Sequence, residues 1–228
     1  LKNIDHVICS SRKTQIDLIK FYNFDEKKTT VIYQGTPIIE KDFTNKKFNF
    51  KFFLYVGSRK KYKNFKLVLK AFSLNKKIFK DFKLVCFGSE KLDNEELKLI
   101  YNLKLDIKDI IIFSGNDKNL FNLYKNAEAL IYPSLNEGFG FPPLEAMSLS
   151  CPVIASNNSA IKECVGDCGI YFDPSSEEDL INCIEKVINN NFDKQKMLEN
   201  GLKRSKIFSW SNTAKKIENV YLRVLGSN

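Results

Sequence analysis

Apolar residues recur along this chain in two rhythms. Short runs without polar interruption stand at Val7-Ile8-Cys9, Val31-Ile32-Tyr33, 53–57, 84–88, 110–113, Leu130-Ile131-Tyr132, Val153-Ile154-Ala155 and Ile170-Tyr171-Phe172. Between them, apolar positions three and four apart predict helices over 13–22, 64–74, 95–103, 119–125, 144–150, 177–189 and 211–224. Strands that do not alternate apolar with polar are those of a parallel sheet covered on both faces. The predicted fold is therefore α/β, a doubly wound Rossmann-like parallel sheet whose ligands bind beyond the carboxyl ends of the strands. The stretch 41–51, rich in Lys, Asn and Phe, has no period and reads as a linker or irregular loop. No internal repeat is visible.

One junction between the two rhythms carries candidate chemistry. After the strand at 129–132 comes Asn136-Glu137-Gly138-Phe139-Gly140-Phe141-Pro142-Pro143-Leu144-Glu145-Ala146, then helix. Gly138 and Gly140 let the main chain approach a ligand, and free N–H groups at a helix start favour an anion. Prolines in a first helical turn remove no intrahelical bond. A phosphate or sugar oxygen fits such a turn, and Glu137 and Glu145 can accept hydrogen bonds from sugar hydroxyls. The same residues also suit an ordinary loop in which Glu145 only complements the helix dipole.

Composition narrows the partners. Against 27 Asp and Glu stand 36 Lys and Arg, for a net charge of +9. That charge suits nucleic acid, anionic lipid or a nucleotide diphosphate. The lysines are scattered over helices, and no helix-turn-helix, zinc-finger or aromatic RNA-binding signature accompanies them, so nucleic acid is not expected. Most of the charge reads as a solvated surface. No apolar run approaches the roughly 18 residues of a membrane span, and no signal peptide opens the chain. The default expectation is a cytoplasmic protein, with peripheral contact at the inner membrane face left open. The cysteines at 9, 86, 151, 164, 168 and 183 lack Cys-x-x-Cys spacing and read as reduced thiols; Cys164 and Cys168, four apart, leave a metal or redox role open.

Several segments together bear a family resemblance. The Glu137 to Glu145 segment resembles the Glu-x7-Glu motif of retaining GT-B glycosyltransferases, most closely glycosyltransferase family 4, or group 1. Phe53-Leu54-Tyr55-Val56-Gly57-Ser58-Arg59 followed by Tyr62-Lys63-Asn64 resembles that family's donor-phosphate loop. Ala127 to Ser134, Pro152 to Ser156 and Phe208-Ser209-Trp210 are similar to its flanking strands and the start of its terminal helix. The resemblance implies a piece of a longer enzyme. Residues 1–35 would end the N-terminal acceptor domain and connect it, 36–208 would form the nucleotide-sugar-binding domain, and 209–228 would pack back toward the N-terminal part. His6 reads as structural, while Ser11 and Thr14 cap and open the following helix.

The resemblance also distributes roles. Arg59, Lys63 and Gly57 would bind the donor diphosphate; the four-residue spacing of Arg59 and Lys63 also suits an exposed helix face, but the Gly57 turn and the family likeness favour phosphate. Glu137 would contact the donor sugar as the catalytic carboxylate, the backbone of Gly138, Phe139 and Gly140 would line sugar and phosphate, and Glu145 would take the ribose hydroxyls. Gly88, Ser89 and 116–120 are candidates for the edge of the base. The implied substrates are a nucleotide-diphosphate sugar, GDP- or UDP-linked, with mannose favoured, and a polysaccharide or lipid-linked sugar acceptor; no metal or other cofactor is expected. A noncatalytic nucleotide-binding module and a sugar-nucleotide epimerase remain the alternatives. A nicotinamide dehydrogenase does not, because Phe141-Pro142-Pro143 follows the Gly-x-Gly where a third close glycine is needed.

Overall fold

The computed structural model describes residues 4–36, 46–59, 61–88 and 91–226. The expectations for Ser89 and for 41–45 fall outside the described residues. At the start of the chain, β1 (Val7–Cys9) and β2 (Thr29–Val31) pair in parallel, with α1 (Arg12–Tyr22) crossing between them. Six further strands follow: β3 (Lys51–Val56), β4 (Phe82–Phe87), β5 (Ile110–Phe113), β6 (Ala129–Tyr132), β7 (Val153–Ser156) and β8 (Ile170–Phe172). The helices between and after them are α2 (Phe65–Leu74), α3 (Lys76–Phe79), α4 (Asn94–Asn102), α5 (Asp117–Asn126), α6 (Phe141–Ser148), α7 (Ser159–Val165), α8 (Glu177–Ile188), α9 (Lys194–Ser205) and α10 (Trp210–Leu225).

These six strands form one sheet in the order β5-β4-β3-β6-β7-β8, with every pairing parallel. Residues along each strand point alternately to two faces, and both faces are covered. Phe52, Leu54, Leu130, Tyr132, Val153 and Ala155 pack with Leu123, Tyr124, Leu144 and Ile161 on one side; Phe53, Tyr55, Ile131 and Ile154 pack with Val68, Leu69, Ile100 and Ile184 on the other. Such double burial is why the strands read as unbroken apolar runs. The chain builds outward from β3 in one direction, then returns to start β6 on its other side. The carboxyl ends of β3 and β6 therefore meet at the topological switch point, where sheets of this order bind ligands.

Three local differences from the apolar pattern have physical causes. First, β2 begins two residues before Val31, because the β-branched Thr29, buried, and Thr30, half-buried, pair with Val7 and Ile8. Second, α7 is short and capped by Asn158, whose side chain accepts from Ala160 N. Third, α9 buries Gly201 and Ser205 rather than an apolar stripe. A Cβ on Gly201 would lie 3.2 Å from Met147 Cγ, so this glycine admits close packing of α9 on α6 where it would otherwise read as a helix breaker. At the far end, α10 leans on the β1-α1-β2 unit: Thr213 Oγ1 donates to Tyr33 O at 2.9 Å, and Arg223 Nη2 donates to Thr30 Oγ1 at 3.1 Å.

Candidate functional site

Two loops leave the switch point, one from each central strand. After β3, Gly57 turns the chain at φ 119°, a conformation that side-chain-bearing residues rarely adopt, and a 3-10 turn at Lys61–Lys63 follows. After β6, the chain runs from Pro133 to Gly140 before α6 begins. Leu135 N donates to Tyr62 O at 2.8 Å, tying the loops together. Between them Lys63 Nζ lies 2.6 Å from Glu137 Oε1 and 3.2 Å from the Tyr132 hydroxyl, with both charged side chains less than 15% exposed. Tyr132 lies at the carboxyl end of β6, and burial, with the charge of Glu137 adding to it, raises its phenol far above the ordinary range, so it stays neutral. Lys63 and Glu137 thus form a close ion pair across the switch point.

The remaining sequence-derived residues divide between this pair and its surroundings. Gly140 has φ 139°, and a Cβ there would lie 2.8 Å from Cys164 Sγ. Among the described residues, no hydrogen-bond acceptor takes the N–H groups of Gly138, Phe139 or Gly140. They precede α6, whose first turn holds Pro142 and Pro143 and whose positive end adds to their attraction for an anion. Phe139 contributes backbone to the loop and its ring to the core, with centroids 6.1 Å from Tyr33 and 5.8 Å from Phe208. Glu145 points at α5: its Oε2 accepts from Tyr124 OH at 2.8 Å. Burial raises the Glu145 pKa, partly offset by that hydrogen bond.

Arg59 leaves the Gly57 loop in a different company from Lys63. Its Nε donates to Glu96 Oε1 at 2.7 Å, Nη2 donates to Lys91 O at 3.0 Å, and the guanidinium lies 5.7 Å from the Phe65 ring centroid. Glu96 also closes the capping box of α4, accepting from Asp93 N at 2.9 Å. The structure therefore brings Lys63, Gly57 and Glu137 together, and seats Arg59 at the start of α4. Gly88 has φ 121° and its Cβ position faces the backbone of Gly57, while Asn116 caps α5 in a reciprocal box with Asn119. The six cysteines are buried and free, with burial pushing the Cys164 thiol up to about 12. Among the described residues, no helix is long and apolar enough to cross a membrane.

Sequence reasoning missed Tyr132, Tyr124 and the Leu135 to Tyr62 bridge. Tyr132 had a usable signal, since it ends a switch-point strand. Tyr124 had none beyond its place on the apolar face of a helix.

Comparison with known proteins gives concordant matches. Residues 38–204 match the family described as glycosyl transferases group 1. The chain is 32% identical over 190 residues to the O-antigen chain mannosyltransferase RfbU of Salmonella typhimurium, covering 82% of this chain and 52% of that protein. It is 37% identical over 105 residues to O-antigen chain mannosyltransferase B of Escherichia coli, covering 46% of this chain and 28% of that protein. The chain thus spans about half or less of the length of these relatives. Among solved structures, a glycosyltransferase from Rickettsia africae superposes with a TM-score of 0.82 at 22% identity, over 98% of this chain and 64% of that one. Anabaena Alr3699/HepE in complex with UDP-glucose superposes with a TM-score of 0.78 at 17% identity, over 95% and 63% of the two chains. These two likenesses, to GT-B glycosyltransferases, concern the fold.

Proposed function

The chain belongs to the group 1 glycosyltransferase family, and from that premise we propose that it is the donor-binding half of a retaining hexosyltransferase. The Lys63 to Glu137 pair at the switch point carries this reading, because it sets a cation and a carboxylate side by side where the sheet order predicts a ligand. The donor is a nucleotide-diphosphate sugar, GDP- or UDP-linked, and mannose is the favoured sugar. Support for the sugar comes from the names of the relatives, two of which are O-antigen chain mannosyltransferases. Support for the donor class comes from the HepE neighbour, which is described in complex with UDP-glucose. The acceptor is a growing polysaccharide or a lipid-linked sugar, held by the remainder of the full-length protein.

In the transfer, the bond from the anomeric carbon to the diphosphate oxygen breaks with its electron pair leaving on the phosphate. A bond to the acceptor hydroxyl oxygen forms on the same face of the sugar, and the hydroxyl proton passes to the departing phosphate. The enzyme must stabilise the charge that develops on that leaving group. Lys63 supplies the cation, and the N–H groups of Gly138 to Gly140 with the positive end of α6 supply oriented dipoles. Glu137 turns from Lys63 to the sugar hydroxyls, and Glu145 takes the ribose. Arg59 reaches phosphate only by exchanging Glu96 for it. We assign charge neutralisation to Lys63 rather than to a metal.

Calorimetric titration of the chain with GDP, UDP and ADP, then with matching nucleotide sugars, with and without EDTA, tests the proposal. Selective binding of one diphosphate, insensitive to EDTA, is the expected result and identifies the base. A folded chain that binds none of them, in a full-length protein that also binds none, overturns it.

A further inference from the structure

Glu163 lies on α7, whose Ala160, Ile161, Cys164 and Val165 are buried, and its carboxylate is engaged far from its own helix. Its two oxygens accept from the first N–H groups of α1: Arg12 N to Oε2 at 2.6 Å and Lys13 N to Oε1 at 2.8 Å. Tyr33 OH donates to Oε2 at 3.1 Å. A carboxylate against two free N–H groups at a helix start is a strong arrangement, since both the hydrogen bonds and the helix dipole favour negative charge there. The backbone of the same turn is gripped from behind. Arg204 donates from Nε to Cys164 O at 2.6 Å and from Nη2 to Glu163 O at 2.7 Å. Gly166, at φ 58°, leaves room for that guanidinium, which a Cβ would meet at 2.7 Å.

The helix so capped touches the motif loop through Ser10, just ahead of its N-cap Ser11, and Thr14 in its first turn. Ser10 Oγ donates to Gly138 O at 3.0 Å, and Thr14 Oγ1 donates to the same carbonyl at 3.3 Å. Gly138 follows Glu137 directly. Tyr33, the third partner of Glu163, stacks on Phe139, the next residue of the loop. Two routes therefore run from one carboxylate to one loop, through α1 and through the Tyr33 ring.

We infer that Glu163 is a positioning residue: by capping α1 from α7 it fixes Ser10 and Thr14 on the Gly138 carbonyl, and so sets the loop that carries Glu137. The motif loop is in this way coupled to the β1-α1-β2 unit as well as to its own sheet. The geometry of the coupling stands on the contacts alone, whereas its consequence for donor binding rests on the function proposed above.

Hydrogen exchange on this chain, followed by mass spectrometry, tests the coupling without any ligand. Glu163→Ala is expected to raise exchange about tenfold at the Leu135 and Leu144 amides, whose hydrogen bonds to Tyr62 O and Gly140 O bracket the motif loop, with the strands β3 and β6 unchanged. The double variant Ser10→Ala with Thr14→Val is expected to do the same, and the triple variant to add nothing further, because all three changes break one chain of contacts. Glu163→Gln, which keeps one acceptor, falls between. Where Glu163→Ala fails to fold, the Ser10 and Thr14 variant decides. Unchanged exchange at Leu135 and Leu144, or a rise spread evenly over the whole chain, overturns the inference. Titration with GDP and UDP then separates the two readings. Weaker, non-additive binding in the same variants supports both; a wild-type chain that binds neither nucleotide, yet shows the local exchange effect, leaves the coupling standing and counts against the donor site alone.

Discussion

Arg59 and Lys63 leave the same loop after β3, yet they end in unlike environments. Both form close ion pairs with carboxylates, at 2.7 Å to Glu96 and 2.6 Å to Glu137, and all four side chains are nearly buried. The difference lies in what else each pair holds. Arg59 also takes the Lys91 carbonyl and lies over Phe65, and its carboxylate partner already closes the capping box of α4. That pair fastens a helix start to a loop. Lys63 instead bridges loops from two different strands, with a neutral phenol as its other partner. Two cations four residues apart can thus be one structural fastening and one site group, and their spacing in sequence does not say which is which.

The largest effect expected from this contrast is on catalysis. In the full-length enzyme, Glu137→Ala is expected to lower kcat by about 10²–10³-fold, the range for removing one transition-state contact, at temperatures where the variant stays folded; its melting temperature falls because Lys63 is left without its carboxylate. Steady-state kinetics beside thermal denaturation checks it. Unaltered transfer would remove Glu137 from the site. Lys63→Ala is next: it is expected to weaken GDP or UDP binding by roughly 10–100-fold while leaving the bare nucleoside unaffected, because only the diphosphate meets the ammonium. An equal loss for nucleoside and diphosphate would take Lys63 away from the phosphate.

Arg59→Ala sharpens the comparison from the other side. Removing one partner of a buried pair strands the other charge, at a cost of about 3 kcal/mol, or ~6–12 °C in Tm for a chain of this size. The expectation is a marked loss of stability, read by denaturation, with a smaller loss of diphosphate affinity than Lys63→Ala produces. Should the affinity losses be equal, Arg59 exchanges Glu96 for phosphate in the bound state and the two cations act together.

How far these residues could be read in advance depends on how local their causes are. The central strands β3, β6 and β7 were visible because burial on both faces makes each an unbroken apolar run, whereas β2 lay two residues away from its apolar run because it opens with Thr29 and Thr30. The Gly57 and Glu137 loops were visible because strand ends, glycines and a helix start are signals within a few residues. By contrast, α9 was hidden, since its packing uses Gly201 against Met147, a close approach that no periodicity reports. The partner of Arg59 was hidden for a related reason. Glu96 lies 37 positions away, on a helix with its own sufficient explanation as a capping box. Glu163 reaches α1 across about 150 positions, and nothing near it in sequence announces that contact.

Glu145 offers a third carboxylate for the comparison, and the smallest expected effect. Glu96 and Glu137 each have a cation, whereas among the described residues Glu145 is hydrogen-bonded by the neutral Tyr124 hydroxyl and pairs with no cation. Burial therefore dominates and raises its pKa, the Tyr124 hydrogen bond opposing this in part. A carboxyl whose pKa is raised by folding binds its proton more tightly in the native state than in the unfolded one. Its stabilising contribution is complete at pH below the unfolded value and is lost as pH rises through the folded value. Glu145→Gln keeps an acceptor for Tyr124 and removes the charge that burial disfavours. The variant is expected to melt at the wild-type temperature near pH 4 and a little above it by pH 7, the gap widening with pH; a gap that stays constant would mean that Glu145 carries no buried charge at neutral pH. The same substitution weakens nucleoside binding if the carboxylate takes the ribose hydroxyls, so stability and affinity should move in opposite directions, as they do where a group is placed for a ligand at some expense to the fold.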